Sequence, residues 1–220
     1  MFKLALKDIK LSKKMLVIIT AYIMILVSSI LPSMDEIFTG ITYTMLMVMG
    51  IFMLVIYTNG YDDRNKTEIV INSFPIKKAD IVRGKYLTLV LYMIIICGIL
   101  FLSSNLLRGL FTRFQGGKSA TLGNVIVATN ITLLFYAIYY PIYFRVGEDI
   151  MTFNYILWFL VLASPSLMRK LVNWLIEKGM MDQMLNINLR KANLTILIIS
   201  IIVFYISLQI SKKLYKQREF

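Results

Sequence analysis

The 220-residue chain contains no histidine and a single cysteine, and its acidic residues number half its basic ones, 12 against 24. The missing histidine excludes Ser-His-Asp and Cys-His catalysis, histidine zinc sites and histidine-dependent intramembrane hydrolysis, since each needs an imidazole as base or ligand. Cys97 stands alone inside a long apolar run, so no intrachain disulfide can form. Charge of either sign is absent from six long runs: Met15–Leu31, Ile37–Tyr61, Tyr86–Leu107, Ser119–Phe144, Ile150–Met168 and Ala192–Ser211. Carriers driven by protons or ions place ionisable groups at mid-membrane depth, and these runs offer no such relay. No small-residue cleavage site follows Met15–Leu31, so no cleavable signal peptide is expected. Internal repeats, low-complexity segments and a soluble domain are absent too. The stretch "TRFQGGKS", Thr112 to Ser119, ends like a phosphate-binding loop. It lacks the glycine that motif needs where Thr112 stands, and the flanking strand, so it reads as a flexible turn with no ATP site.

What is present is hydrocarbon. The chain is 58% hydrophobic and 16% charged, with mean hydropathy +0.72; a soluble domain is nearer about half and about a quarter. That excess cannot be buried in one core, so lipid must solvate much of the surface. Five of the runs have at least 19 residues and the first has 17, enough to cross roughly 30 Å of hydrocarbon as helix. Backbone groups in lipid must pair within the segment. The expectation is an all-α membrane protein, one domain over residues 1–220 with six transmembrane helices.

Basic residues flanking spans stay preferentially in the cytoplasm. The N-terminal arm carries five, the 59–85 connection six, the turn at 145–149 one and the tail four, against none, three and five in the connections on the other side. Sixteen inside against eight outside predicts both termini in the cytoplasm. The five basic residues of 169–191 fit an outer position poorly. There Leu167, Leu171, Trp174 and Leu175 line one side, and Arg169, Asn173 and Glu177 the other, with Gly179 as a stop. This predicts an outer interfacial helix within 165–191, between the fifth and sixth spans, with Trp174 at headgroup depth. Because all these charges border spans, they point to contact with anionic membrane lipids and not to nucleic acid.

The first fourteen residues read as an amphipathic helix, with Phe2, Ala5, Leu6 and Ile9 on one face and Lys3, Lys7, Lys10 and Lys14 on another. It either flanks and orients the first span or lies along the inner leaflet as an elbow. In the fourth run, Tyr136, Tyr139, Tyr140 and Tyr143 form an aromatic band interrupted by Pro141. The band reads as an interface belt with a kink. The sharper alternative is a wall on a path for an amphipathic substrate, using Asn130, Tyr136 and Tyr140. Asn105, Asn124 and Asn130 are the most polar residues in or at the ends of spans, and they suit helix–helix ties better than cargo binding.

The connection "NGYDDRNKTEIVINSFPIKKADIVRGK", Asn59 to Lys85, is far longer than a link between two spans requires. Thr67–Phe74 can form two helical turns, ended by Pro75, which pushes its predecessor out of the helical region. A second helix can start near Ile76 and run into the third span. Ile69, Val70, Ile71, Phe74 and Ile81 lie among Glu68, Lys77, Lys78, Asp80, Arg83 and Lys85. A short helix offered to a cytosolic protein, with apolar anchors and a charged rim, accounts for this mixture; a loop lying against the inner leaflet is the other reading.

Together, "LALKDIKLSKK" before the first span and "TEIVINSFPIKKADIVRGKYL" after the second resemble the permease subunits of ATP-binding-cassette transporters of the ABC-2 type. The family pattern falls on Glu68, Ser73, Pro75, Lys77, Lys78, Ile81, Val82, Lys85 and Tyr86; its sharp part covers about twenty residues, and the rest of the likeness is topology. The resemblance implies a coupling helix seated on a separate ATPase through Thr67, Glu68, Ile69, Ile71, Ser73, Phe74, Pro75, Lys77 and Lys78. It also implies a dimer with an identical or different second permease subunit, two cytosolic ATPase subunits that hold the ATP and magnesium, and no cofactor or catalytic residue in this chain. Size and composition are similar to compact permeases of Gram-positive bacteria, multi-pass proteins of the cell membrane that export amphipathic peptides or confer peptide immunity. Two other classes stay open. One is a six-helix solute-capturing component of energy-coupling-factor type, although the first span shows no Ala-xxx-Ala docking face. The other is a membrane enzyme, for which no nucleophile–base set is visible.

Overall fold

A computed structural model describes residues 2–30, 36–110, 118–147, 170, 174 and 189–218. The described elements are α1 (Phe2–Ile30), α2 (Glu36–Arg64), α3 (Thr67–Ser73), α4 (Lys78–Leu110), α5 (Leu122–Val146) and α6 (Leu189–Gln217), with no strand among the described residues. All but α3 are long and apolar enough to cross a membrane, which makes five candidate spans. The expected span at Ile150–Met168 lies outside the described residues. So do most of Thr112–Ser119 and most of the expected interfacial segment 165–191, of which Lys170, Trp174 and residues 189–191 are described as helical.

The helices outlast the uncharged runs. The 33 residues of α4 reach about 50 Å at roughly 1.5 Å per residue, against about 30 Å of hydrocarbon. In the 59–85 connection, where helices are expected at Thr67–Phe74 and from near Ile76, α2 also continues to Arg64, so only Asn65–Lys66 and Phe74–Lys77 are non-helical before α4. A second difference concerns the N-terminus. Residues 1–14 do not form a helix of their own, because α1 runs unbroken from Phe2 to Ile30. No glycine or proline interrupts that stretch, so nothing in the sequence ends the helix at the membrane edge. Its buried side also differs from the apolar face expected: Ala5, Asp8 and Ser12 are buried, while Phe2 and Leu6 are exposed.

α4 packs against α1, α2, α5 and α6 and forms the centre of the bundle. About half of the apolar stretch of α2, α4 and α5 is buried, against 22% for α1 and 17% for α6, so the last two form the flanks. Gly50 sits where α1, α2 and α4 converge. A methyl group there would lie 3.0 Å from Ile96 and 3.6 Å from Ile19, so the close approach of the three helices leaves room for at most a methyl group, and that only if Ile96 shifts slightly.

α5 passes through Pro141 to Val146 as one helix. Proline has no N–H, so the carbonyl four residues back, that of Ala137, loses its helical donor. Ser207 of α6 donates to that carbonyl at 2.7 Å, and the Ser207 hydroxyl also lies 2.7 Å from the Tyr86 hydroxyl of α4. The helix thus keeps its continuity because a neighbour satisfies the group the proline frees.

Two sets of contacts define the ends of the bundle. At one end, Lys7 of α1 meets Asp62 of α2, Asn72 of α3 meets Tyr215 of α6, and Phe144 of α5 packs edge-on against Tyr215 at 5.4 Å. At the other, Tyr43 donates to the Lys118 carbonyl, Asn105 to the Ala120 carbonyl and Asn124 to the Gly40 carbonyl. The starts of α1 and α4 and the ends of α2, α5 and α6 consequently share the end that carries α3. α5 and α6 run in the same direction.

Candidate functional site

The seven residues of α3 form a short helix pinned at both ends. Lys66 turns the chain out of α2 in the left-handed conformation, φ 48°, the only positive φ outside glycine among the described residues; for a side chain such as lysine this costs about 1 kcal/mol. Its carbonyl then accepts from the Ile69 and Val70 amides, so the turn and the helix are continuous. At the other end Phe74 is extended, ψ 154°, with its N–H on the Ile71 carbonyl. That is the geometry the following Pro75 imposes, and the expected helix is reproduced to within one residue.

The two sides of α3 differ. Thr67, Ile71 and Asn72 turn inward: Ile71 packs on the core, and Asn72 Nδ2 donates to the Tyr215 hydroxyl at 3.0 Å. Ile69, Val70, Phe74 and Ile76 turn outward and are exposed, Phe74 by 57%, alongside exposed Ser73, Pro75 and Lys77. Lys78, half-buried at the start of α4, donates to the Arg218 carbonyl at 2.8 Å. Of the residues expected to meet a partner, Ile69, Ser73, Phe74, Pro75 and Lys77 therefore face outward, whereas Thr67, Ile71 and Lys78 face or tie into the bundle; Glu68 lies in the helix between them.

Beneath α3 lies a feature absent from the sequence reading. Lys7, Asp8, Asp62 and Lys85 form a closed ring of two cations and two carboxylates drawn from three helices. Lys85 Nζ lies 2.6 Å from Asp62 and 3.4 Å from Asp8; Lys7 Nζ lies 2.9 Å from Asp62 and 3.3 Å from Asp8. The Asp8, Asp62 and Lys85 side chains are only 4%, 9% and 12% exposed. Lys85 also donates to Asn59 at 3.2 Å, and the Thr88 hydroxyl donates to Asp8 at 3.2 Å. One turn further along, Tyr92 donates to Ser12 at 2.8 Å and to the Asp8 carbonyl at 3.1 Å. Each charge in the ring has two opposite partners, the condition under which buried ions are tolerated. Between the ring and α3 is a cavity of about 40 Å³ lined by Asp63, Thr67, Ile71, Tyr143 and Tyr215 as well as ring residues. One water needs about 10–15 Å³ measured this way, so the ring has room for hydration on its α3 side.

The lysines expected along one N-terminal face divide. Lys3, Lys10 and Lys14 are exposed, whereas Lys7 is drawn into the ring. The tyrosine band also turns inward. Tyr136, Tyr139, Tyr140 and Tyr143 are all buried, with Tyr86 and Tyr140 centroids 4.7 Å apart. Tyr140 donates to the Lys85 carbonyl at 3.3 Å, tying the band to the ring. Asn130, 5% exposed, donates to the Asn193 carbonyl at 3.1 Å. Asn130, Tyr136 and Tyr140, the residues of the expected path, are all buried, and Asn105, Asn124 and Asn130 each link two elements. An open groove of about 330 Å³ lies between α4 and α5 and is lined mostly by apolar residues, including Val90, Met93, Phe101, Leu122 and Val125.

Five helices long and apolar enough to cross a membrane, with every element among the described residues helical and α3 with its ionic base gathered at one end, define a multi-pass membrane protein. Residues 3–216 match the family model described as ABC-2 family transporter protein. The chain belongs to that family. No curated protein and no solved structure matches it.

Proposed function

We propose that this chain is the permease subunit of an ATP-binding-cassette exporter and that α3 is its coupling helix. The observation that carries the reading is the outward face of α3. Ile69, Val70, Phe74 and Ile76 are exposed on a helix joined to two spans by links of two and four residues. Apolar anchors with a charged rim are what a protein partner grips, and such short links give the partner a direct hold on α2 and α4. The partner is a cytosolic ATPase, two copies serving two permease subunits, identical or different, with ATP and magnesium bound on the ATPases. This chain then contributes no catalytic group.

In this reading the α3 end is cytoplasmic, with both termini on that side, as the distribution of lysine and arginine favours. Because α5 and α6 run in the same direction, the chain joining Val146 to Leu189 starts at one end of the bundle and finishes at the other. That supports a sixth crossing, for which Ile150–Met168 is the apolar run available. The cargo is an amphipathic peptide or a lipid-like molecule exported across a bacterial cell membrane. The uncharged runs and the apolar α4–α5 groove favour it over a hydrophilic solute.

The test is co-purification of the chain with a phosphate-loop ATPase expressed beside it, followed by Phe74→Ala and Glu68→Ala. Both variants should insert normally and bind at least tenfold less ATPase, or hydrolyse ATP without export. Normal binding and normal coupling by both would remove α3 from the coupling role.

A further inference from the structure

We infer that the Lys7–Asp8–Asp62–Lys85 ring is a positioning joint: it makes α1 follow α3 when the ATPase moves it. This rests on the coupling role proposed for α3. Covalent links already tie α3 to the end of α2 through Asn65–Lys66 and to the start of α4 through Phe74–Lys77. α1 has no such link at this end, since residues 31–77, which include α2 and α3, separate it from α4 in sequence. At the α3 end its charged attachments are to the same two helices: Lys7 to Asp62 of α2, and Asp8 to Lys85 and Thr88 of α4. Tyr92 of α4 continues the tie one turn deeper, at Asp8 and Ser12.

The placement suits transmission better than bulk stability. α1 is a flank helix with 22% of its apolar stretch buried, and it packs chiefly on α4 and less on α2. Short charge-assisted contacts to two different helices fix its position in every direction at the level where α3 pushes. Apolar contact is non-directional and would allow slip. The cavity beside the ring lies between it and α3, so it lets the inner side of α3 tilt without dragging dry apolar surface past the charges. Lys7, Asp8, Asp62 and Lys85 are positioning residues in this scheme; none needs to touch cargo or nucleotide.

The test uses the complex with its ATPase in lipid nanodiscs, in a Cys97→Ser background, with spin-label pairs measured before and after trapping with ATP and vanadate. One pair joins Asn65→Cys, in the α2–α3 turn, to Lys118→Cys at the far end; the other joins Lys13→Cys, exposed on α1, to the same Lys118→Cys. In the otherwise native protein both distances should shift on trapping. In Lys85→Met the Asn65 pair should still shift while the Lys13 pair loses its shift, and Lys85→Arg, which keeps the charge, should restore it. If Lys85→Met fails to insert, the double variant Lys7→Met/Asp8→Asn serves, because it removes both charges that α1 contributes and leaves the Lys85–Asp62 pair in place. A Lys13 pair that does not move in the native ring, or that moves fully in the methionine variant, overturns the joint. Absence of any shift in the Asn65 pair instead overturns the coupling role of α3 itself.

Discussion

Two aspartates eighteen positions apart in sequence should behave in opposite ways when replaced by alanine. Asp62 accepts Lys85 at 2.6 Å and Lys7 at 2.9 Å with its side chain 9% exposed, whereas Asp80 meets only Arg83, at 3.1 Å, in a pair whose side chains are 31% and 45% exposed. Breaking a buried ion pair from one side costs about 3–5 kcal/mol, because the partner is left charged and desolvated. After Asp62→Ala, Lys85 would keep Asp8 at 3.4 Å and Asn59 at 3.2 Å, so the lower end of that range applies. About 3 kcal/mol is a loss of more than about 100-fold in the folded-to-unfolded ratio. The Asp80 pair is an exposed i,i+3 contact worth about 0.2–0.5 kcal/mol, and Asp80→Ala should be close to neutral. The assay is unfolding of both purified variants in detergent by denaturant titration, read by tryptophan and tyrosine fluorescence. Equal effects at the two positions, or an Asp62→Ala cost below about 1 kcal/mol, would refute a ring of buried and mutually dependent charges.

Three further outcomes can be checked independently. Ser207→Ala should cost about 1–3 kcal/mol by orphaning the Ala137 carbonyl. In a Pro141→Ala background, where an amide again serves that carbonyl, the same change should cost clearly less, and a double-mutant cycle measuring additivity would contradict the arrangement. Gly50→Ala should be tolerated with a small shift of Ile96, while Gly50→Leu should lose about 1–3 kcal/mol by forcing α2 away from α1 and α4, which thermal unfolding of the two proteins would compare. An impermeant maleimide applied to intact cells of a Cys97→Ser protein should label Lys118→Cys and should reach Lys66→Cys only after permeabilisation; the reverse pattern would invert the proposed orientation.

The sequence was legible where a local rule acts on consecutive residues. Pro75 disfavours the helical conformation at Phe74, and no neighbour among the described residues compensates there as Ser207 does at Pro141, so α3 ends where the rule places it. Five of the six uncharged runs form helices over nearly all of their described length, for lack of any other partner for their backbone. The ring was not legible, for a related reason: Asp62 and Lys85 adjoin apolar runs, Lys7 and Asp8 lie in the arm before one, and all four count there as solvated flanking charge. Asp8, Asp62 and Lys85 become buried, and Lys7 half-buried, because α1, α2 and α4 continue beyond the runs and pack together, a consequence of helix length that no single window of sequence reports. The tyrosine band shows the same limit. The spacing of Tyr136, Tyr140 and Tyr143 defines one stripe of α5 but not what it faces, and the stripe proves to face Tyr86 and Lys85 in the interior. One signal was available for the ring, namely Asp8 alone among the lysines of the N-terminal arm, where a purely lipid-facing basic helix has no use for a carboxylate.

The most direct measurement is site-specific photo-crosslinking from α3 in membranes that also contain the co-expressed ATPase. A photoreactive amino acid at Val70 or Phe74 should capture that ATPase, identified by its phosphate-loop peptides, while the same group at Leu110 or Lys118, at the opposite end of the bundle, should not. Capture from Leu110 or Lys118 but not from α3, or capture of lipid alone at Val70 and Phe74, would contradict the account.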